Sequence, residues 1–289
     1  MKYRVMDRCR GSFPVRLMCR CLNVSPSGFY GWRKRPASAR ARENQRLLGR
    51  IQELHTQSDG VMGSPRMWED LRLEGETCGR NRVARLMQVH GIQGIPQRKR
   101  WRKKPSGQRP ATVANHLARD FHSLQPNEKW VTDITYIRTG EGWLYLSAVV
   151  DLHSKEVVGW SMGPRQDRSL VLHAVLMALW QRPGNKPVVL HSDRGTQFTS
   201  DEYQRFLTGH NLKCSMSAVG SCADNAAAES FFGLLKRERV NRRSYALRSQ
   251  ARADVFDYIE RFHNPRMRRR MEGRKTSQDN LTQPSVVSG

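Results

Sequence analysis

Three acidic residues stand where their carboxylates could hold divalent metal ions together. Asp133 lies inside WVTDITYIR, whose β-branched and aromatic residues predict a strand. Asp193 directly follows a short apolar strand predicted for residues 188–190, and Glu229 lies one turn into a predicted helix, with 35 residues between the two acids. If one sheet edge gathers the three carboxylates, their repulsion favours a hard cation with oxygen ligands, Mg²⁺ or Mn²⁺. We therefore expect Asp133, Asp193 and Glu229 to be catalytic residues and metal ligands.

Such a set of carboxylates predicts phosphoryl transfer with two metal ions. One ion lowers the pKa of a water or a 3′-hydroxyl, and the other stabilises charge on the leaving oxygen. The protein then contributes mainly positioning and electrostatic stabilisation. The same site could hydrolyse a phosphodiester and then let the released 3′-hydroxyl attack another one.

Taken singly, each of these residues has a simpler interpretation. A lone aspartate in a strand usually forms local hydrogen bonds, and Asp151, at the end of a predicted strand before a turn, fits that description. An isolated glutamate on a helix usually faces solvent. Lys236 follows Glu229 by seven residues and so lies on the same helix face, where it could bind the phosphate next to the scissile bond. The spacing fits an ordinary surface lysine equally well.

The net charge of +24 is unevenly distributed. Residues 1–124 hold 26 lysines and arginines against 9 acids, residues 125–235 hold 10 against 11, and residues 236–289 hold 14 against 6. A near-neutral centre between basic flanks suits an enzyme whose flanks bind a polyanion, and DNA is the partner that we expect. A ribosome-associated or merely cationic protein is the alternative that charge alone leaves open.

The first basic part is predicted to form short helices. Apolar periodicity and cap residues place them at residues 14–22, 26–34, 41–55, from 64 onward, and at 80–90. A basic helix that follows a glycine-containing turn is typical of a helix-turn-helix. Arg80, Arg82 and Arg85 on that helix would then contact DNA. A helical bundle without groove contacts shows the same pattern.

The run RKRWRKK at residues 98–104 is a second basic candidate. Arg98, Arg100 and Lys103 could follow DNA phosphates, because phosphate contacts need no fixed geometry. A solvated linker is the simpler interpretation.

After about residue 125 the pattern changes to strands. They are predicted at residues 130–138, 143–151, 156–162, 188–190 and 212–216, with helices at 167–181, 201–210 and 224–240. The order β-β-β-α-β-α-β-α is that of the RNase H-like fold, an α/β class with a mixed sheet and flanking helices. An all-α, helix-turn-helix-like region precedes it.

These features divide the chain into five regions. We expect an N-terminal helical, helix-turn-helix-like region at 1–40, a helix-turn-helix-like DNA-binding domain at 41–97, a basic linker at 98–124, an RNase H-like catalytic core at 125–240, and a basic C-terminal tail at 241–289.

The sequence gives no sign of a membrane span or of export. No uncharged apolar run approaches the roughly 20 residues of a span, and the N-terminus lacks the apolar stretch of a signal peptide. Six scattered cysteines without a CxxC pair predict reduced thiols. We therefore expect a cytoplasmic protein that associates with DNA.

Four segments carry a family resemblance: WVTDITYI, EGWLYLSAVVDLHSKEVVGW, HSDRGTQFTS and DNAAAESFFGLLKRE. With RARENQRLL and RLEGETCGRNRVARLM upstream, most of the chain resembles the OrfB transposases of two-frame bacterial insertion sequences, in the retroviral-integrase superfamily. The resemblance assigns the family's acidic triad to Asp133, Asp193 and Glu229, and its basic residue on the last helix to Lys236.

The resemblance implies a DDE transposase that cleaves DNA and transfers strands at insertion-sequence ends. It implies a homo-oligomeric synaptic complex on terminal repeats and target DNA, and a partnership with the OrfA product, either as a separate chain or through a frameshift fusion. Two other classes remain as alternatives: an RNase H-fold structure-selective nuclease that cuts without joining, and a non-catalytic, element-derived DNA-binding inhibitor. The complete acidic set argues against the inhibitor, and the matching segments argue against the nuclease.

Overall fold

The computed structural model describes residues 2–96, 123–193, 197–198, 200–216 and 226–282. Arg98, Arg100 and Lys103, the predicted phosphate contacts of the basic run, lie outside these residues.

Three short helices form the N-terminal part, α1 (Lys2–Cys9), α2 (Val15–Leu22) and α3 (Pro26–Lys34). They pack around Met6, Cys19 and Phe29, which are almost completely buried. Ser25 caps α3 by accepting a hydrogen bond at 3.0 Å from the Gly28 amide, which satisfies a backbone donor that the helix leaves open. The helices α2 and α3 were predicted, whereas α1 was not.

A second helical unit consists of α4 (Ala39–Gln57), α5 (Ser64–Leu73) and α6 (Arg80–Val89). Its core includes Leu47, Ile51 and Leu54 of α4, which repeat at the spacing of one helix face, together with Met67 and Val83. The helical, helix-turn-helix-like region predicted upstream of the sheet is therefore confirmed.

The sheet has five strands, β1 (Lys129–Thr139), β2 (Gly142–Asp151), β3 (Val157–Gly163), β4 (Val188–Ser192) and β5 (Leu212–Met216). Their order is β3-β2-β1-β4-β5. The first three strands pair antiparallel, and β1, β4 and β5 pair in parallel. This mixed sheet, with helices on both faces, confirms the predicted RNase H-like architecture.

The helices α7 (Arg168–Gln181), α8 (Asp201–Gly209) and α9 (Ala226–Glu238) cover the sheet. Val131 and Leu146 point into one core with Phe231 of α9, while Trp130 and Val149 point into another core with α7 and α8. Neighbouring strand residues thus belong to opposite cores, as the pleat requires. The acids of the predicted site lie on elements that these two cores fix in place.

Gly159 allows α7 to pack closely on β3. A Cβ atom at Gly159 would overlap the Ala174 carbonyl oxygen and the Ala178 amide of α7. Glycine is therefore needed here for close approach rather than for an unusual backbone angle.

The C-terminal part differs from the predicted basic tail at residues 241–289. It forms α10 (Arg248–Phe256), a π-helical segment (Asp257–His263) and α11 (Asn264–Thr282). Val255, Tyr258 and Ile259 are buried in the same core as α9 and the first two strands. These apolar residues occur at helical spacing among many arginines, and the charge obscured the pattern. The tail prediction is therefore wrong over the described residues.

Ion pairs join the second helical unit to the C-terminal helices. Arg266 of α11 and Asp70 of α5 are both about 3% exposed, and Arg266 Nη2 lies 3.1 Å from Asp70 Oδ1. Arg66 of α5 pairs with Glu238, which also accepts a hydrogen bond at 2.9 Å from the Tyr258 hydroxyl. The helical unit is thus fixed to the elements that carry the predicted site.

His263 makes the stability of this C-terminal part depend on pH. Its side chain is 6% exposed, and its Nε2 donates to the Lys155 carbonyl at 3.0 Å. Burial lowers the pKa of His263 to about 4, although the Lys155 hydrogen bond and the Glu238 charge oppose this shift. Below about pH 6.5, the ordinary pKa of histidine, His263 becomes protonated in the unfolded chain but stays neutral in the folded chain down to about pH 4. The free energy of unfolding should therefore fall by about 2 kcal/mol between about pH 7.5 and about pH 5.

Urea denaturation at a series of pH values measures this effect. His263→Gln keeps a donor near the Lys155 carbonyl but does not titrate, so its stability should depend less on pH in this range. His90→Gln removes an exposed histidine and serves as the matched control. An unchanged pH dependence in His263→Gln would contradict the assignment.

Candidate active site

Asp133 lies in the middle of β1, opposite Ala148 of β2. Its side chain is half-buried and faces α9, because Val131 and Ile137, on the same side of the strand, belong to the α9 core. The Ile134 amide donates a hydrogen bond at 2.7 Å to Asp133 Oδ1. The strand therefore fixes this carboxylate at the base of the site.

Asp193 directly follows β4, which is the parallel neighbour of β1. Val131 lies opposite His191 in that pairing, so the register continued by two residues sets Asp133 opposite Asp193. Asp193 is exposed. The sheet order thus brings together two acids that are far apart in sequence.

Glu229 is half-buried in the first turn of α9. Phe231 and Leu235 anchor this helix in the core that β1 and β2 also form. A helix N-terminus favours a nearby negative charge, so the position suits a carboxylate.

The pKa of Asp133 shows that these acids influence one another. It is raised to about 7, first by burial and then by the negative charges of Asp193 and Glu229. The hydrogen bond from Ile134 and the positive charge of Lys236 act in the opposite direction. Asp193, Glu229 and Lys236 therefore each lie within electrostatic range of Asp133.

Asp193 and Glu229 act electrostatically on Asp133, but the three carboxylates are not close enough together to form a ready metal site. In the part of the chain that the structure describes, no three histidine, cysteine, aspartate or glutamate side chains are grouped so that they could hold a metal ion. The donor set nevertheless fits a hard divalent cation, because it consists of carboxylate oxygens. Burial, followed by the charges of Asp193 and Glu229, raises the pKa of Asp133, and a cation would offset that cost. Binding a cation would have to draw Asp193 and Glu229 closer to Asp133.

Lys236 contacts an aromatic ring beside the acids. Its Nζ lies 4.6 Å from the centroid of the Tyr136 ring, which is a cation–π contact. The predicted position on the same side of α9 as Glu229 fits the influence of Lys236 on the pKa of Asp133. A lysine in this place is more constrained than an ordinary surface lysine.

The predicted DNA-contacting arginines of α6 differ in their surroundings. Arg80 and Arg85 are exposed, whereas Arg82 is half-buried and donates from Nε to Asn44 Oδ1 at 2.8 Å. Arg82 therefore helps to join α6 to α4. Arg80 and Arg85 are the accessible cations of this helix.

Asp151 has the structural role predicted for it. It accepts hydrogen bonds from the His153 amide at 3.1 Å and from the Ser154 hydroxyl at 3.1 Å. These bonds form the turn after β2.

Two exposed aromatic residues near the site were not singled out from the sequence. Tyr136 and Trp143 are 56% and 46% exposed. Alternation along WVTDITYI does place Tyr136 on the face opposite Asp133, but the sequence does not tell which helices cover that face.

Among the helices that the structure describes, none combines the length and the apolar character of a membrane span.

Three family models match the chain. Residues 42–100 match an HTH-like domain, and residues 123–222 and 229–282 match two models of an integrase core domain. The second integrase match covers α9 and the C-terminal helices, which are part of the same core in the structure.

Curated relatives match the chain along nearly its whole length. The InsF transposase of insertion sequence IS3A from Escherichia coli strain K12 is 40% identical over 91% of this chain and 92% of its own length. A 31 kDa protein of insertion element IS600 from Shigella sonnei is 35% identical over 87% of this chain and 92% of its own length.

Among solved structures, the HTLV-2 integrase catalytic core domain in complex with magnesium is similar to part of the chain. It is 25% identical, with a TM-score of 0.33, and the match covers 40% of this chain and 71% of that one. A superposition with so low a score adds no weight, so the assignment depends on the sequence relatives. With an HTH-like domain, an integrase core and this degree of identity to InsF, the chain belongs to the family of IS3-type insertion-sequence transposases, enzymes of DNA transposition.

Proposed function

We propose that Asp133, Asp193 and Glu229 are the catalytic acids of a DDE transposase. The observation that carries this proposal is geometric: the register between β1 and β4 sets Asp133 opposite Asp193, and α9, which carries Glu229, packs on the same face of β1 as Asp133. The raised pKa of Asp133, caused first by burial and then by both other acids, agrees with this arrangement. Clustered carboxylates with perturbed titration are typical of functional sites.

We propose that these carboxylates hold Mg²⁺ or Mn²⁺ in a two-ion arrangement. Bound ions of this kind supply charge stabilisation at the phosphorus and a nucleophile at neutral pH. The rest of the chemistry consists of positioning by the chain itself. Asp133 and Glu229 are half-buried, whereas Asp193 is exposed. Asp133, held by the strand, fixes the base of the site, and Asp193 faces the substrate.

Lys236 is proposed to bind the DNA phosphate next to the scissile bond. It belongs to the same electrostatic group as the acids and is held by Tyr136. A cation in this position offsets the repulsion between the phosphate and the carboxylates. It also limits where the DNA backbone can lie.

DNA binding away from the acids is proposed to use the basic flanks. Arg80 and Arg85 are accessible on α6, and Arg82 could contribute the part of its guanidinium that Asn44 does not engage. The proposed phosphate contacts at Arg98, Arg100 and Lys103 stay predictions. The same holds for the four regions that precede residue 241, for a synaptic homo-oligomer and for cooperation with an OrfA product.

A strand-transfer assay tests the function directly. The substrates are a pre-cut end of the DNA that flanks this gene, with a free 3′-hydroxyl, and a plasmid target. We expect a joined product in Mg²⁺ or Mn²⁺, because a transposase uses that hydroxyl as its nucleophile. The matched control is the same end with a dideoxy terminus, which should give no product.

Addition of the protein from the upstream frame shows whether this chain needs that partner. Cutting of the uncut flanking DNA without joining of the pre-cut end, with and without the partner, would favour the structure-selective nuclease instead.

A further inference from the structure

One end of the β1–β2 hairpin carries three exposed side chains that the proposed chemistry does not use, and the half-buried Lys236, which it does use, lies beside them. Tyr136 and Arg138 lie on β1, Trp143 lies on β2, and Lys236 of α9 approaches Tyr136. Arg138 stands directly opposite Trp143 in the strand pairing. These four residues are called the aromatic–basic patch below.

The packing of the helices leaves this face of the hairpin open. Ile137 and Leu144 point to the other face and are buried in the core that contains α9 and α10. The core on the face of the patch contains residues of α7, which packs mainly on β3, and of α8. Tyr136, Arg138 and Trp143 are accordingly exposed.

The two aromatic rings hold each other in a fixed orientation. Their centroids are 5.1 Å apart and their planes form an angle of 80°, which is an edge-to-face contact. Cross-strand aromatic pairs can simply stabilise a sheet. That role does not require the rings to be about half exposed or to have a lysine ammonium over one of them.

Lys236 connects the patch to the acidic residues. Its ammonium lies 4.6 Å from the centroid of the Tyr136 ring, and Lys236 shares helix α9 with Glu229, seven residues earlier. Tyr136 follows Asp133 by three residues, roughly 10 Å along the strand, and its side chain leaves the opposite face of β1. Lys236, which extends from α9 on the Asp133 face to the Tyr136 ring, therefore links the two faces. A DNA strand whose phosphate meets Lys236 would therefore bring its neighbouring nucleotide to the aromatic rings.

The chemistry of the patch favours a nucleobase as its occupant. Aromatic rings bordered by cations bind unpaired nucleotides, because the rings stack on bases and the cations meet the phosphates. A base in a duplex is already stacked on its neighbours, so only an unpaired base could use the rings. The basic flanks of the chain and its membership of a transposase family indicate that the nucleobase comes from DNA.

We propose that the aromatic–basic patch binds an unpaired base of the DNA strand whose phosphate lies at the acids, with Tyr136 and Trp143 as the stacking surface. This inference rests on the proposed function, because it takes the acids as the place where the strand is cut. The patch then holds an opened DNA end beside the site.

Equilibrium binding without divalent metal separates this proposal from catalysis. The probes are two duplexes with the sequence that flanks this gene, one fully paired and one with unpaired nucleotides at the element end. Tyr136→Ala is expected to weaken binding of the unpaired probe by about tenfold, since one base–aromatic stack contributes about 1–3 kcal/mol. Binding of the paired probe should change little. Trp143→Ala should act in the same direction.

Two variants and one modified probe serve as controls. Tyr136→Phe retains the ring and should bind like the unaltered protein. Trp180→Ala removes another exposed aromatic residue, 82% exposed on α7, and should have no effect on either probe. Abasic sites at the unpaired positions should remove the difference between Tyr136→Ala and the unaltered protein. Thermal melting verifies that each variant is folded.

Equal losses on both probes, or no loss on the unpaired probe, would overturn the proposal. In either case the aromatic–basic patch would be a general DNA contact or a surface for a protein partner. The two proposals can fail separately. If Asp193→Asn loses strand transfer but binds the unpaired and paired probes like the unaltered protein, the acids serve catalysis and the aromatic–basic patch serves binding.

Discussion

Asp193→Asn is expected to abolish DNA cleavage and strand transfer while DNA binding persists. Asparagine keeps the size of the side chain but lacks the negative charge that a divalent cation requires. The expected loss of rate is on the order of 10³-fold or more, because the stabilisation of charge at phosphorus depends on the bound metal. Cleavage of a labelled flanking end in Mg²⁺ measures the rate, and a mobility-shift assay measures binding.

Binding should become no weaker in this variant, since removal of a negative charge reduces repulsion of the DNA phosphates. Glu202→Gln is the matched control. It removes an exposed carboxylate that pairs with Arg168 elsewhere in the same core, and it should leave cleavage intact. If Asp193→Asn cleaves as fast as Glu202→Gln, Asp193 has no part in the reaction.

The sequence predicted the sheet well because its signals are local. Alternation of apolar residues fixed the position of β1, and Asp167 at the predicted start of α7 indeed caps that helix, accepting a hydrogen bond at 3.1 Å from the Leu170 amide. The order of strands and helices then restricted the topology, since parallel strands need a crossover between them. The predicted position of Asp133 on β1 and of Asp193 after β4 followed from these elements.

The sequence could not predict features that depend on contacts between distant residues. Arg266 reads as one arginine of a basic run, and only its partner Asp70, 196 residues earlier, explains why it is buried. Tyr136 reads as an ordinary strand residue until the helices show which face of the hairpin stays open. The distance between the acids is a third such feature, because it depends on how α9 packs against the sheet.

The region beyond residue 240 was mispredicted because net charge was taken as a sign of exposure. Several of its arginines in fact neutralise buried or half-buried acids. Arg243, for example, pairs with the Asp254 carboxylate, which is 8% exposed. Arg266 pairs with Asp70 and Arg268 pairs with Glu156, and neither acid belongs to residues 236–289. Part of the charge of +8 counted for that range is therefore compensated within the fold and is not available for DNA.

Arg266→Ala is expected to lower the free energy of unfolding by about 3–5 kcal/mol, because it leaves the buried Asp70 carboxylate without its partner. Burial lowers the pKa of the Arg266 guanidinium, and the Asp70 charge opposes this shift, so each charge depends on the other. The midpoint of urea denaturation measures the loss. Arg268→Ala is the control on the same helix, since Arg268 is 57% exposed where it pairs with Glu156, and such pairs contribute at most about 1 kcal/mol.

A double variant tests whether the loss comes from the unpaired charge. Arg266→Met combined with Asp70→Leu removes both charges and keeps much of the side-chain volume, so it should recover much of the stability lost in Arg266→Ala. The recovered free energy of unfolding would measure the interaction between Arg266 of α11 and Asp70 of α5. If the double variant is as unstable as the single one, packing of the Arg266 side chain and not its charge holds the two parts together.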